Sequence, residues 1–244
     1  MSNEIIYAII QAATEFLPIS SSGHIALLGN LLDKPNLFLI TTLHIASLFA
    51  VLIYTRKEIL YLLTFKKETF KLWAFLIIAT IPATLVGFFL KDIIESSLNS
   101  PTTIGISFLL TGTIILSTRF AKHNSKLNYK KSFFIGLFQA LALFPGISRS
   151  GMTISASLFS GMNREKAAKF SFLLFIPLAI GAFILELGEA YYSNTLVIAF
   201  LICFTLSLAF LYLLTYIIKK DKFWIFSIYC FAIGIIILSL EILK

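Results

Sequence analysis

The chain has 244 residues, 58% hydrophobic and 13% charged, with a mean hydropathy of +0.92 and a formal net charge of +8. A soluble domain carries about 25% charged residues, so this composition excludes an ordinary globular domain and points to an integral membrane protein. The positive balance does not indicate a nucleic-acid partner, because the basic residues sit in short loops between apolar runs, where membrane topology accounts for them.

The first element, residues 4–32, is apolar but interrupted by Pro18 and Ser20-Ser21-Ser22-Gly23. It lacks the basic n-region of a cleavable signal peptide. Its two halves are too short to cross a bilayer and read as a helix–turn–helix hairpin that enters the membrane and returns. Three spans follow as runs free of Asp, Glu, Lys and Arg: Leu37–Thr55, Leu72–Leu90 and Pro101–Thr118. A second interrupted region, residues 131–162, carries Pro145-Gly146 and Ser148-Arg149-Ser150-Gly151 and reads as a second re-entrant hairpin. Phe170–Leu185, Ala190–Ile218 and Phe223–Leu240 complete six spans, the first of them extended at its ends by a snorkelling Lys169 and by Glu186. Pro82 and Pro177 fall within spans, where kinks are expected. Cys203 and Cys230 lie in late apolar runs and read as buried free thiols, with no disulfide framework or metal-ligand spacing. The expected fold class is therefore all-α and polytopic.

The two interrupted regions are related. Gln11–Gly23 and Gln139–Gly151 align without gaps and are identical at seven of 13 positions, 128 residues apart. Three spans follow each, and an odd number of crossings turns the second unit over. The pattern is an inverted-topology repeat, approximately residues 1–120 and 130–244 within one membrane domain, with the site where the broken elements meet. Loop charge supports it: 16 of the 20 Lys and Arg fall on one side, while Lys34, Lys91 and Lys244 fall on the other and Arg149 lies in the second turn. The basic side is expected to be cytoplasmic, which places both termini outside and brings the hairpins in from opposite faces.

The turns carry the chemistry. Gln11 and Glu15 are four apart and share a helix face. Leu17 precedes proline and should end the first helix. Ser20, Ser21 or Ser22 can cap the returning helix, whose first turn holds His24. A helix N-terminus with nearby hydroxyls attracts phosphate, and Arg149, equivalent in position to Ser21, offers a planar fork for phosphate oxygens. A carboxylate and a guanidinium near mid-membrane must be paired, wet or working. His44, within a span, reads as an interhelical hydrogen bond, with a place at the border of the cavity as the alternative, and His123 as a solvated loop residue.

Glu15-Phe-Leu-Pro-Ile-Ser-Ser-Ser-Gly-His24 and Phe144-Pro-Gly-Ile-Ser-Arg-Ser-Gly151 resemble the two signature motifs of the bacterial undecaprenyl-diphosphatase family, also called bacitracin-resistance proteins. Length, span count and motif spacing agree over essentially the whole chain. The resemblance implies a multi-pass phosphatase of the bacterial cytoplasmic membrane. It would convert undecaprenyl diphosphate to the monophosphate carrier lipid and inorganic phosphate, recycling the carrier for peptidoglycan synthesis and conferring bacitracin resistance. It also implies a divalent cation, Mg²⁺ or Ca²⁺. The family motif begins with Glu or Gln four residues before a Glu; here these are Gln11 and Glu15, so a single carboxylate would hold the metal with Gln11 and the substrate's own phosphates.

On this reading Glu15, Ser21, His24 and Arg149 are the catalytic candidates, and Ser20, Ser22, Gly23, Ser148, Ser150 and Gly151 line the phosphate. Ser21 attacks with His24 as base; His24 activating water, or itself accepting the phosphoryl group, stays open. The partners are the polyprenyl diphosphate and the bilayer, and the oligomeric state stays open, a homodimer included. The competing class is a phosphorylated-lipid flippase or secondary transporter. Such a carrier would use the same inverted-repeat site but needs only the cationic clamp, not a nucleophile and base.

Overall fold

The computed structural model describes residues 3–122, 125–185 and 193–243, so His123, Glu186, Ala190 and Lys244 lie outside the described residues. Among these there are twelve α-helices, one short 3-10 turn (Thr118–Phe120) and no strand. In order they are α1 (Asn3–Phe16), α2 (Ser21–Leu28), α3 (Leu37–Tyr54), α4 (Arg56–Leu62), α5 (Lys67–Phe89), α6 (Lys91–Ser97), α7 (Pro101–Ser117), α8 (Tyr129–Leu141), α9 (Arg149–Phe159), α10 (Arg164–Leu185), α11 (Asn194–Lys219) and α12 (Ile225–Ile242).

Six helices are long and apolar enough to cross a membrane: α3, α5, α7 (with the 3-10 turn), α10, α11 and α12. They match the expected runs, with α5 and α10 beginning a turn or more earlier because Lys67, Lys71, Arg164 and Lys169 extend them into polar surroundings. The helices continue through Pro82 and Pro177 without a break. Side chains cap the starts of several helices: Asn36 accepts from Leu39 N at 2.8 Å, Ser193 from Leu196 N at 2.9 Å, and Ser100, ahead of Pro101 at the first helical position, from Thr103 N at 3.3 Å. The 7-residue helices α4 and α6 were not expected. Helices this short are marginal on their own and form where tertiary contacts hold them. Trp73 Nε1, donating to Leu62 O at 3.2 Å, does this for α4.

Helix α1 packs against α11, and α8 against α5; α3 packs against α10 and α11, α10 also against α5, and α7 against α12. The hairpin helices α1 (14 residues), α2 (8), α8 (13) and α9 (11) are each shorter than the roughly 20 residues a span requires. The apolar driving force that assembles soluble helices is weak between helices surrounded by lipid, so close backbone approach and polar contacts matter more. Ser47 and Ser207 meet at 3.2 Å between α3 and α11, Tyr54 donates to Thr215 at 2.7 Å, and Thr153 and Ser171 meet at 2.6 Å between α9 and α10. Cys203 and Cys230 are buried free thiols, as expected.

The α5–α8 contact depends on one missing side chain. A Cβ on Gly136 would lie 2.6 Å from Ala79 O and 3.0 Å from Pro82 Cδ, so the two backbones touch there. Ser132, on the same face, donates to Phe75 O, and Gln139 Nε2 donates to Ala79 O at 3.3 Å. Gly136→Ala is expected to cost about 1–3 kcal/mol through overpacking and to lower the unfolding midpoint in detergent. Gly181→Ala, on α10 where the added carbon meets nothing beyond its own helix backbone, should leave that midpoint unchanged or slightly raised.

Candidate active site

The proline rule acts as expected at the first turn. Helix α1 ends at Phe16, and Ile19 N closes a tight turn onto Leu17 O at 2.7 Å. Ser20 then adopts φ 67°, a left-handed conformation uncommon for a residue with a β-carbon, and its hydroxyl caps α2 by accepting from Gly23 N at 3.3 Å. The second turn repeats the device. Gly146 takes φ 88°, and Ser148 caps α9 by accepting from Gly151 N at 3.1 Å. The flanking hydroxyls pair in the same way, Ser20 with Ser22 at 3.3 Å and Ser148 with Ser150 at 3.2 Å.

The two turns touch backbone to backbone. A Cβ on Gly23 would come within 2.9 Å of Gly146 Cα, and one on Gly151 within 3.2 Å of Pro18 Cβ. Gly146 must be glycine twice over: its φ is positive, and a side chain would meet Ile104 O at 2.6 Å. Ser150 Oγ reaches Leu17 O at 3.5 Å, and Thr111 on α7 both donates to Gly146 O and accepts from Ser148 N, each at 3.2 Å.

At this contact Glu15 is buried and collects the polar groups. Arg149 Nη2 donates to its Oε1 at 2.6 Å. Ser21 Oγ donates to Oε2 at 2.6 Å, and Gln11 Nε2 to the same oxygen at 3.0 Å. The Arg149 guanidinium lies over the Phe175 ring, 4.1 Å from its centre, on α10. The structure therefore brings together Gln11, Glu15, Ser21 and Arg149 from residues far apart in the chain. Ser20, Ser148, Gly23 and Gly151 form the two caps beneath them, with Ser22 and Ser150 alongside.

His24 stands apart from this cluster. Its Nδ1 is 2.7 Å from Ser20 O and its Nε2 2.7 Å from the Tyr229 hydroxyl, so both ring nitrogens are engaged away from Ser21. His44 occupies the place beside Glu15 instead. Its Nδ1 is 2.9 Å from Ile40 O, within its own helix, and its Nε2 is 3.9 Å from Glu15 Oε2. The expected interhelical hydrogen bond is replaced by this approach to the carboxylate. Of the two readings of His44, it is the one at the border of the site that the structure matches. Phe175 and Tyr229 were not foreseen, because the two aromatic rings are indistinguishable in sequence from those that face lipid.

The donor set can be tested against a divalent cation. Gln11 is fully buried and its Oε1 has no hydrogen-bond partner, one helical turn from Glu15. The equivalent Gln139 also has an unpartnered Oε1, but Leu143 stands where the first repeat has Glu15. Of these two amides, Gln11 is the one with a carboxylate a turn away. Among the described residues no three His, Cys, Asp or Glu cluster to hold a metal. The residues thus fit a cation of the Mg²⁺ type, bound by one carboxylate and completed by phosphate oxygens, and do not form a closed all-protein site.

Comparison with known proteins places the chain among characterised families. The family profile described as bacitracin resistance protein BacA matches residues 4–236. A protein named undecaprenyl-diphosphatase 4 from Bacillus thuringiensis (strain Al Hakam) is 43% identical over 250 residues, covering 97% of this chain and 95% of its own length. Proteins named undecaprenyl-diphosphatase from Thermosipho africanus (strain TCF52B) and Methanococcus maripaludis (strain C7) are 41% and 39% identical, over 96% and 97% of this chain and 98% of each relative. With the profile matched over residues 4–236 and these relatives similar over nearly the whole chain, the chain belongs to the BacA bacitracin resistance protein family.

Proposed function

We propose that the protein is a membrane phosphatase that hydrolyses undecaprenyl diphosphate to undecaprenyl phosphate and inorganic phosphate. This recycles the carrier lipid for peptidoglycan synthesis and confers bacitracin resistance. The observation that carries the reading is Ser21 Oγ donating to Glu15 Oε2 at 2.6 Å while Arg149 holds the other carboxylate oxygen at 2.6 Å. A nucleophile, a base and a cation share one buried contact, the arrangement phosphoryl transfer requires.

The chemistry proceeds in two steps. Ser21 Oγ attacks the terminal phosphorus; the P–Oγ bond forms, the bond from phosphorus to the bridging oxygen breaks, and undecaprenyl phosphate leaves with that electron pair. Glu15 takes the serine proton, an assignment supported by the short contact and by the engagement of both His24 nitrogens elsewhere. Glu15 passes that proton to the departing undecaprenyl phosphate; water then attacks the phosphoserine, the P–Oγ bond breaks, and Glu15 accepts the water proton and returns one to Oγ as inorganic phosphate departs. Arg149 spends one N–H on Glu15 and has a fork of further donors for the equatorial oxygens, whose charge it offsets. The first-turn N–H groups of α2 and α9 add to that field. Gln11 Oε1 and Glu15 would hold a divalent cation, Mg²⁺ or Ca²⁺, which would neutralise charge on the phosphate oxygens.

The same proposal includes the architecture. Residues 1–120 and 130–244 are taken as an inverted repeat whose hairpins α1–α2 and α8–α9 are re-entrant and meet within the membrane. Three observations support it: seven identical positions, the matched serine caps, and helix pairings that exchange with the halves (α1 on α11 for α8 on α5, α3 on α11 for α10 on α5). Loop charge orients the basic side toward the cytoplasm and both termini outward. The membrane is taken to be the cytoplasmic one, where helical bundles span. The exchangeable pairings also favour a second reading, a carrier of phosphorylated lipid.

Phosphate release in detergent separates the two readings, because detergent abolishes transport and not hydrolysis. The purified chain should release inorganic phosphate from undecaprenyl diphosphate, lose the activity on chelation and regain it with Mg²⁺. Ser21→Ala and Arg149→Ala should each lower kcat about 10²–10³-fold. Ser21→Ala remaining within threefold of the parent would remove the serine route. Glu15→Gln keeps the hydrogen-bonding shape and loses the base; a fall in kcat of about 10²–10⁴-fold is expected, and near-normal turnover would reassign the base. Absence of phosphate release alongside lipid movement in vesicles would establish the carrier instead.

A further inference from the structure

We infer that Tyr229, on α12, is a positioning residue that acts through His24 to hold the strained turn presenting Ser21; the inference rests on the phosphatase reading above. Ser20 is one of three residues other than glycine with positive φ among the described residues, and it immediately precedes Ser21. Such a conformation persists only where its surroundings over-determine it. Here the restraints are on the page. His24 Nδ1 lies 2.7 Å from Ser20 O. A carbonyl only accepts, so Nδ1 carries the hydrogen, and Nε2 of the neutral ring is left as an acceptor. The Tyr229 hydroxyl, 2.7 Å away, donates to it.

The ring is also held in orientation. Tyr229 stacks on His24 at 19° with centroids 5.7 Å apart, and Phe108 of α7 meets the imidazole edge-on at 5.3 Å. The neighbouring residue reinforces the attachment, since Cys230 Sγ reaches Pro18 O at 3.5 Å. Two successive side chains of α12 thus grip the first turn at Pro18 and, through His24, at Ser20. The second turn is gripped from α7 by Thr111 in the corresponding way. Because α7 and α12 pack on each other, both turns are referenced to one helix pair, and the 2.6 Å approach of Ser21 to Glu15 depends on both attachments. Loosening the Ser20 carbonyl rotates the peptide that leads into Ser21 and moves the nucleophile from its base.

Tyr229→Phe tests this, since it removes one hydroxyl and keeps the ring. With undecaprenyl diphosphate in detergent, kcat should fall about tenfold with KM within about twofold, the loss expected for one hydrogen bond that orients a reacting group. The same substitution in a His24→Ala background should cost nothing further, because the path through the imidazole is already gone. Independently of activity, ¹⁵N NMR of labelled histidine, with His24 identified by its loss in His24→Ala, should give a single Nδ1–H tautomer in the parent. Tyr229→Phe keeps that tautomer, because the Ser20 carbonyl is still there, and should shift the Nε2 resonance as it loses its donor. Unchanged kcat in Tyr229→Phe, equal losses in both backgrounds, or an Nε2 resonance indifferent to the hydroxyl would each overturn the inference. A parent chain that releases no phosphate while its His24 Nε2 resonance responds to Tyr229→Phe would keep the contact and sink the phosphatase reading alone.

Discussion

The ion pair between Glu15 and Arg149 is the contact on which the rest depends. Both side chains are nearly buried, in a chain with only 13% charged residues. A charge at the bilayer centre costs about 2.5–3.5 kcal/mol on insertion scales, and breaking a buried pair by deleting one partner costs about 3–5 kcal/mol. Neither turn can therefore leave the other without exposing an uncompensated charge to an apolar surrounding. The pair is at once the tie between the two halves and the source of the local field. In the proposed mechanism Arg149 orients the carboxylate that faces Ser21, and Glu15 in turn orients the guanidinium toward the phosphate.

That pair forms only because the backbones come close. Gly23, Gly146 and Gly151 each lack a carbon that would collide with the opposite turn or with α7. Gly146 additionally adopts a conformation that L-residues avoid. The serine caps then satisfy amides that would otherwise be orphaned inside the protein. Close packing and capping are thus one solution to one constraint: an interrupted helix in an apolar medium must find its hydrogen bonds inside the protein. The hydroxyls and amides that meet this constraint are also the groups a phosphate needs.

Much of this was legible in the sequence, for physical reasons that differ from residue to residue. Six spans could be read because a run of 18 or more residues without charge has few other structural outcomes. The turns were legible because Pro18, Gly146 and the Ser-x-x-Gly caps report backbone conformation directly. Glu15 and Arg149 stood out because charges placed so deep in an apolar chain must be paired, wet or working; that they pair with each other is what the structure adds. The role of His24 was less so. Its closeness to Ser21 in sequence suggested a base, but a ring one turn into α2 swings back to Ser20 O and out to Tyr229. His44 took the position beside Glu15 because α3 packs against α1 there, a contact that periodicity does not disclose.

Sequence by itself determined the membrane class, the six spans, the two capped turns and the charge asymmetry, and named Gln11, Glu15, Ser21, His24 and Arg149 as candidates, of which the fold gathers all but His24 around one carboxylate. These follow from solvation and local backbone preference, which act over a few residues and are written in their order. Tertiary structure alone decided which oxygen of Glu15 meets Arg149 and which meets Ser21, that His24 is turned toward Tyr229, and that His44 and Phe175 border the site. Those contacts join residues up to 205 positions apart and are fixed by rotamer and helix rotation once the helices pack. No local preference encodes them, because a shift of one residue in the register of α3 or α12 would leave their composition and hydropathy the same and place different side chains at the carboxylate.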